Sequence, residues 1–166
     1  MPPLCATWEH RQAVYTPAGT PVVWRYDALP LPYVIQLDAG QAPYMAAVRE
    51  AAALWNREVG FPVLREVTDP ADARVFITTG SAGDGGAAAT TPSGDVVPVS
   101  ATVELRGGGN VGEAYGALVH EIGHVLGLAD GDSGCMGPLP DDFDPSHNWW
   151  LPRDAEVAYL RSVYEV

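Results

Sequence analysis

Two histidines four residues apart, His120 and His124, frame the stretch whose residue types and spacing best suit chemistry: His120-Glu121-Ile122-Gly123-His124-Val125-Leu126-Gly127-Leu128-Ala129-Asp130, or HExxHxxGxxD. On an α-helix such side chains project from one face a turn apart, which lets two imidazoles bind one Zn²⁺. Glu121 lies beside them, where a carboxylate can act as base on a water at the metal. Gly127 can take the left-handed conformation that ends a helix and turns the chain back, so that Asp130 offers a third protein ligand and a fourth position stays open. The chain has four histidines, and Asp130, Asp132 and His147 compete for that third place. The turn delivers Asp130 directly, whereas Asp132 needs a two-residue shift and His147 needs a Pro-rich segment to fold back. HExxH by itself is a pattern that helices produce by chance. The glycine and acidic residue at the required offsets, with Met136 soon after, favour the metal site over that bland reading.

The surrounding elements must hold these residues. Asn110 is placed to cap the helix, with Glu113 three residues on, and Val111, Tyr115, Leu118, Ile122 and Val125 form an apolar stripe at helical spacing. His120 and His124 fall on the other side of the wheel among Gly116, Ala117, Gly123 and Gly127, small residues that leave room for a metal, a substrate or backbone. Upstream, Val22 to Tyr26 reads as a short strand or extended arm, Tyr33 to Leu37 as a strand, and Pro43 opens a helix with Tyr44, Val48, Ala51, Leu54 and Trp55 on its apolar side, closed by Gly60. Val63 to Val67 and Arg74 to Thr79 read as further strands. Residues 80 to 94 lack periodicity and are expected to be one long loop, in which Asp84 and Asp95 are possible Ca²⁺ ligands without the regular spacing of a calcium loop. Val96 to Leu105 alternates as a strand, and Pro98 places it at a sheet edge. The glycines 107 to 109 lack the Lys-Ser/Thr of a phosphate loop, and Pro152 suits the start of a last helix over Asp154 to Val163. The order of elements predicts an α+β fold with a mixed sheet and helices against it.

The 166 residues, 47% of them hydrophobic, amount to one soluble domain. With a net charge of −12 and no lysine, the chain has no basic patch for nucleic acid or an anionic membrane, and a monomer is expected. No run reaches the roughly 20 apolar residues of a membrane span, and the N-terminus lacks the charged and apolar regions of an export signal. The expected location is therefore the cytoplasm or release by lysis, unless a presequence has been removed.

HEIGHVLGLAD followed by Cys135-Met136-Gly137-Pro138 resembles the metzincin metallopeptidases, in which a turn carrying a methionine lies under the metal. Aspartate as third ligand resembles the snapalysin branch. Trp24-Arg25-Tyr26, the helix with Leu54-Trp55, the run Ala71 to Ile77 and the closing Val157 to Tyr164 are similar to the matrixin catalytic domain. The resemblance implies a single zincin-like catalytic domain, with residues 1–127 ending in the zinc helix and 128–166 carrying the methionine turn and last helix. It implies a twisted sheet whose edge strand binds substrate, here Val96 to Leu105 with Val99, Ala101 and Val103, and a wall of the pocket beyond the cleaved bond for which Leu139 and the tryptophans 149 and 150 are candidates, packing under the last helix being their other reading. Residues 80 to 94 hold no histidine, unlike matrixins with a second zinc there. The implied activity is a zinc endopeptidase acting on peptide or protein, with His120, His124 and Asp130 on the metal, Glu121 as base and Met136 beneath. The rivals are a metal-stabilised binding or virion component that does not turn over, and a zinc hydrolase for another bond. Cys5 and Cys135 are the two cysteines; a disulfide between them, two free thiols, and Cys5 as a thiolate cap on zinc are the three open readings.

Overall fold

β-Branched runs between Pro, Gly and Asp form the strands, and alanine-rich stretches with an apolar side form the helices. A computed structural model of the chain describes residues 22–80, 86–93, 97–105, 111–131, 134–137 and 151–164. The fold is mixed α+β. Strands β1 (Leu31–Gln36), β2 (Leu64–Glu66), β3 (Val75–Thr79), β4 (Gly86–Ser93) and β5 (Val97–Leu105) accompany helices α1 (Met45–Val59), α2 (Val111–Val125) and α3 (Asp154–Tyr164). One sheet contains the strands in the order β2-β1-β3-β5-β4, all parallel except β4, which runs antiparallel to β5. Alternate strand residues Leu31, Tyr33, Leu64, Val75, Ile77, Ala101, Val103 and Leu105 are buried in one cluster with Val48, Ala51 and Trp55 of α1 and Leu118, Ile122 and Val125 of α2. No helix among the described residues is long and apolar enough to cross a membrane.

Polar anchors fix the helices within this core. The Trp55 indole donates to the Val119 carbonyl of α2 at 3.0 Å. Asn56 ties α1 to β2 through three bonds, accepting from the Val63 and Leu64 amides and donating to the Leu64 carbonyl. Helix α1 ends at Gly60, whose φ is 91°, and Arg161 of α3 donates to the carbonyls of Val59 and Glu58, which a helix end leaves without partners. The Tyr164 hydroxyl donates to the Leu126 carbonyl at 2.8 Å, holding α3 to the end of α2.

Several expectations are corrected. Residues 39–44 form a 3-10 turn around Pro43, so α1 begins at Met45 rather than at the proline. Of the two readings of Val22 to Tyr26 the strand is not formed and the extended arm fits: Trp24, 3% exposed, donates its indole N–H to the Val125 carbonyl at 2.7 Å, and Tyr26–Ala28 is a 3-10 turn. The expected loop at 80–94 contains β4, whose small residues show no hydrophobic alternation and are ordered by pairing along β5. Strand β5 is therefore not an edge, because Ala101 to Leu105 are paired to β3 on one side and to β4 on the other. Pro98 is tolerated because it precedes the stretch paired to β3 and lies opposite Pro92 at the irregular end of the β4 ladder. Ala101 and Val103 are 1% and 0% exposed in the core, so they cannot be the substrate contacts expected of them, while Val99 is 42% exposed. The calcium candidates Asp84 and Asp95 lie outside the described residues.

Trp24→Phe keeps the buried ring but leaves the Val125 carbonyl without its donor. Chemical denaturation should show a loss of about 1–3 kcal/mol with an unchanged denaturant slope.

Candidate metal centre

Helix α2 carries the two histidines on one face, and the turn after it completes the site. The Gly127 amide donates to the His124 carbonyl at 3.0 Å and the Leu128 amide to the Gly123 carbonyl at 2.9 Å, the paired bonds of a Schellman motif. Gly127 is required there twice over. Its φ is 105°, and a Cβ would meet the Val22 carbonyl oxygen at 2.7 Å. The reversal aims the Leu128 carbonyl at His124 Nδ1, 2.8 Å away, and brings Asp130 Oδ1 to 3.2 Å from Nε2 of both His120 and His124.

The second imidazole is oriented by another turn. His120 Nδ1 lies 2.7 Å from the Cys135 carbonyl oxygen. A carbonyl only accepts, so in the neutral rings both Nδ1 atoms carry the proton and both Nε2 atoms present lone pairs. Those two Nε2 atoms are 3.1 Å apart, and Asp130 Oδ1 completes a triangle of sides 3.1, 3.2 and 3.2 Å. Three electron-pair donors facing one point repel one another unless a cation lies between them. Corners of a tetrahedron with bonds of about 2.0–2.1 Å are about 3.3–3.4 Å apart, so the donor set and its spacing fit zinc. The outer carbonyls supply the fixed orientation that ligating imidazoles need. Burial, and next the neighbouring His124, push the His120 imidazole below its ordinary value of 6.5, while the Cys135 carbonyl and Asp130 pull it upward. The side chains of His120 and His124 are 18% and 23% exposed and that of Asp130 is 72% exposed, so the site opens to solvent on the Asp130 side. Glu121 is buried at 9% and, as the residue after His120 on α2, flanks the histidine face.

Met136, 1% exposed, fills the space that the small residues of α2 leave: a Cβ on Gly123 would collide with its sulfur and meet Trp55 Cζ2 at 3.1 Å. Behind the methionine turn lies a pair that the sequence reading missed. Glu156 is fully buried, accepts from the Arg153 amide at 2.7 Å and from Arg153 Nε at 3.0 Å, and lies 3.6 Å from the Cys135 thiol that donates to it. The Arg153 guanidinium also lies where a Cβ on Gly131 would be, 2.9 Å from Nη2. One ion pair thus backs both Gly131, next to Asp130, and Cys135, whose carbonyl orients His120. A sequence signal existed, since Glu156 stands at the third position of α3, where a capping-box carboxylate returns to the backbone before the helix.

Cys135 is a buried free thiol. Its burial, with the Glu156 charge second, pushes the thiol well above its ordinary value and makes it a poor nucleophile. The partner considered for it, Cys5, lies outside the described residues, as do Asp132, Leu139, His147, Trp149 and Trp150. Among the described residues, His120, His124 and Asp130 are the cluster able to hold a metal ion. No family model matches the sequence, and no curated protein is detectably similar to it.

Gly123→Ala should cost about 1–3 kcal/mol through overpacking against Met136, read by thermal and chemical unfolding. Glu156→Gln should cost about 3 kcal/mol and weaken zinc retention about tenfold in chelator competition, because it breaks a buried pair that supports both ligand turns. For His120 the folded state holds the proton less tightly than the unfolded chain. Its contribution is absent at high pH and becomes a loss of stability as pH falls below 6.5. Denaturation of metal-free protein across that range should show the decline, and His120→Gln should lessen it.

Proposed function

We propose that this chain is a zinc-dependent endopeptidase. The observation that carries the reading is the triangle of His120 Nε2, His124 Nε2 and Asp130 Oδ1, all within 3.2 Å of one another, on a helix where the buried Glu121 follows His120. Zinc binding alone does not require a carboxylate at Glu121; hydrolysis does, which favours an enzyme over a binding component. When bound, zinc supplies a Lewis acid that polarises a carbonyl and makes water more acidic. Glu121 takes a proton from the attacking water as its oxygen bonds to the peptide carbon, and returns it to the nitrogen as the C–N bond breaks. The carbonyls of Cys135 and Leu128 keep both Nε2 atoms turned to the metal throughout.

The place for substrate moves with the corrected topology. Among the described residues strand β4 is paired on one side only, so its other side offers the backbone groups that β5 lacks. An extended peptide added there gains ladder hydrogen bonds without needing particular side chains.

Casein and a fluorogenic peptide library should be cleaved by the zinc-loaded protein and spared after chelation. Glu121→Ala should retain zinc and lose about 10²–10⁴-fold in turnover. Asp130→Ala should lose tight zinc binding, whereas His147→Ala should keep it. Near-native turnover by Glu121→Ala would remove its assignment as base, and the reverse pattern in the other two would move the third ligand to His147.

A further inference from the structure

The chain has 21 acidic and nine basic residues, so an arginine without a carboxylate is unexpected. Among the described residues Arg25 pairs with Asp27, Arg49 with Glu66, Arg57 with Glu58 and Arg153 with Glu156, all at 3.2 Å or less. Arg161 is occupied by the carbonyls of Val59 and Glu58. Arg65 and Arg74 remain. Neither meets a carboxylate among the described residues, and the hydrogen bond of the Arg74 side chain is a long one, 3.5 Å to the Val99 carbonyl.

Both line one cleft of about 730 Å³, together with Trp24, Pro30, Pro32 and Val99. Its lining carboxylate, Asp27, is already held by Arg25. The sheet register explains why the two guanidinium groups converge here. Arg65 is the lateral partner of Pro32 on β1, and on the other side of β1 the Arg74 amide donates to the Pro32 carbonyl at 2.8 Å. The three residues form one row, with the arginines two strand spacings apart, about 9–10 Å at the backbone. Their neighbours Leu31, Leu64 and Val75 point into the core, so this row lies on the opposite face of the sheet.

We propose that this cleft binds an acidic peptide segment of a partner protein. Guanidinium groups pair with carboxylates in a fixed two-pronged geometry. Residues on one face of an extended chain recur every second position, about 6.6 and 13 Å apart, and two long guanidinium side chains about 9–10 Å apart at the backbone reach carboxylates at either spacing. Pro30 and the exposed Val99 offer apolar contact to the intervening backbone and side chains. His120, Glu121, His124 and Asp130 do not line the cleft, so the inference is independent of the metal reading.

The test is a fluorescence-anisotropy titration of the full chain with a labelled hexapeptide of alternating glutamate and aspartate. Saturable, salt-sensitive binding is expected, with no binding of the glutamine and asparagine counterpart. Arg65→Gln and Arg74→Gln should each weaken it about tenfold, while Arg57→Gln leaves it unchanged. Both arginines are exposed, and circular dichroism checks that the variants keep the fold. Absence of saturable binding, equal binding of the amide peptide, or unchanged affinity in both variants overturns the proposal. Displacement of the peptide by inorganic pyrophosphate at a lower concentration than by unlabelled peptide assigns the cleft to a compact anion and also overturns it.

Discussion

The left-handed turn at Gly127 is the constraint on which the site depends. One reversal of the backbone ends α2, points the Leu128 carbonyl at His124 and carries Asp130 to within 3.2 Å of both imidazoles. A residue with a side chain cannot take its place, since both the conformation and the contact with the Val22 carbonyl forbid it. Helix spacing places two donors and this turn places the third. The Trp24 indole on the Val125 carbonyl and the Tyr164 hydroxyl on the Leu126 carbonyl hold the last turn of the helix so that the reversal begins from a fixed point.

Rigidity on the other side comes from packing under His120. Met136 fits against Gly123 and Trp55, and the buried Arg153–Glu156 pair supports the turn whose Cys135 carbonyl fixes the imidazole. A fully buried carboxylate is costly unless it is paired and hydrogen-bonded, and Glu156 is both. It also satisfies the start of α3, so the docking of α3 and the shape of the metal site share the same atoms. The histidine positions are thereby set by the core rather than by surface loops.

The helices and the parallel strands were legible because their apolar residues recur at one period, 3.6 or 2, and Gly60 and Gly127 mark their ends by a backbone requirement. The clustering of His120, His124 and Asp130 was legible because helix geometry and one glycine fix their relative places. Strand β4 was not, since a run of Ala, Thr, Gly and Ser carries no alternation and owes its order to β5. With β4 unseen, Pro98 made β5 read as an edge, and Ala101 and Val103, which are buried between two paired strands, were misplaced as substrate contacts. The state of the two cysteines stayed open because spacing says nothing about where a thiol faces, and the Cys135 thiol is free and faces Glu156. Val22 to Tyr26 stayed open between a strand and an extended arm because a β-rich pentapeptide looks the same whether its partner is a sheet or a helix end.

X-ray absorption at the zinc edge of the zinc-loaded protein tests the central claim most directly. The account predicts one zinc per chain with two imidazole nitrogens and oxygen donors at about 2.0–2.1 Å and no sulfur. A sulfur at about 2.3 Å, or failure to take up zinc stoichiometrically, would contradict it.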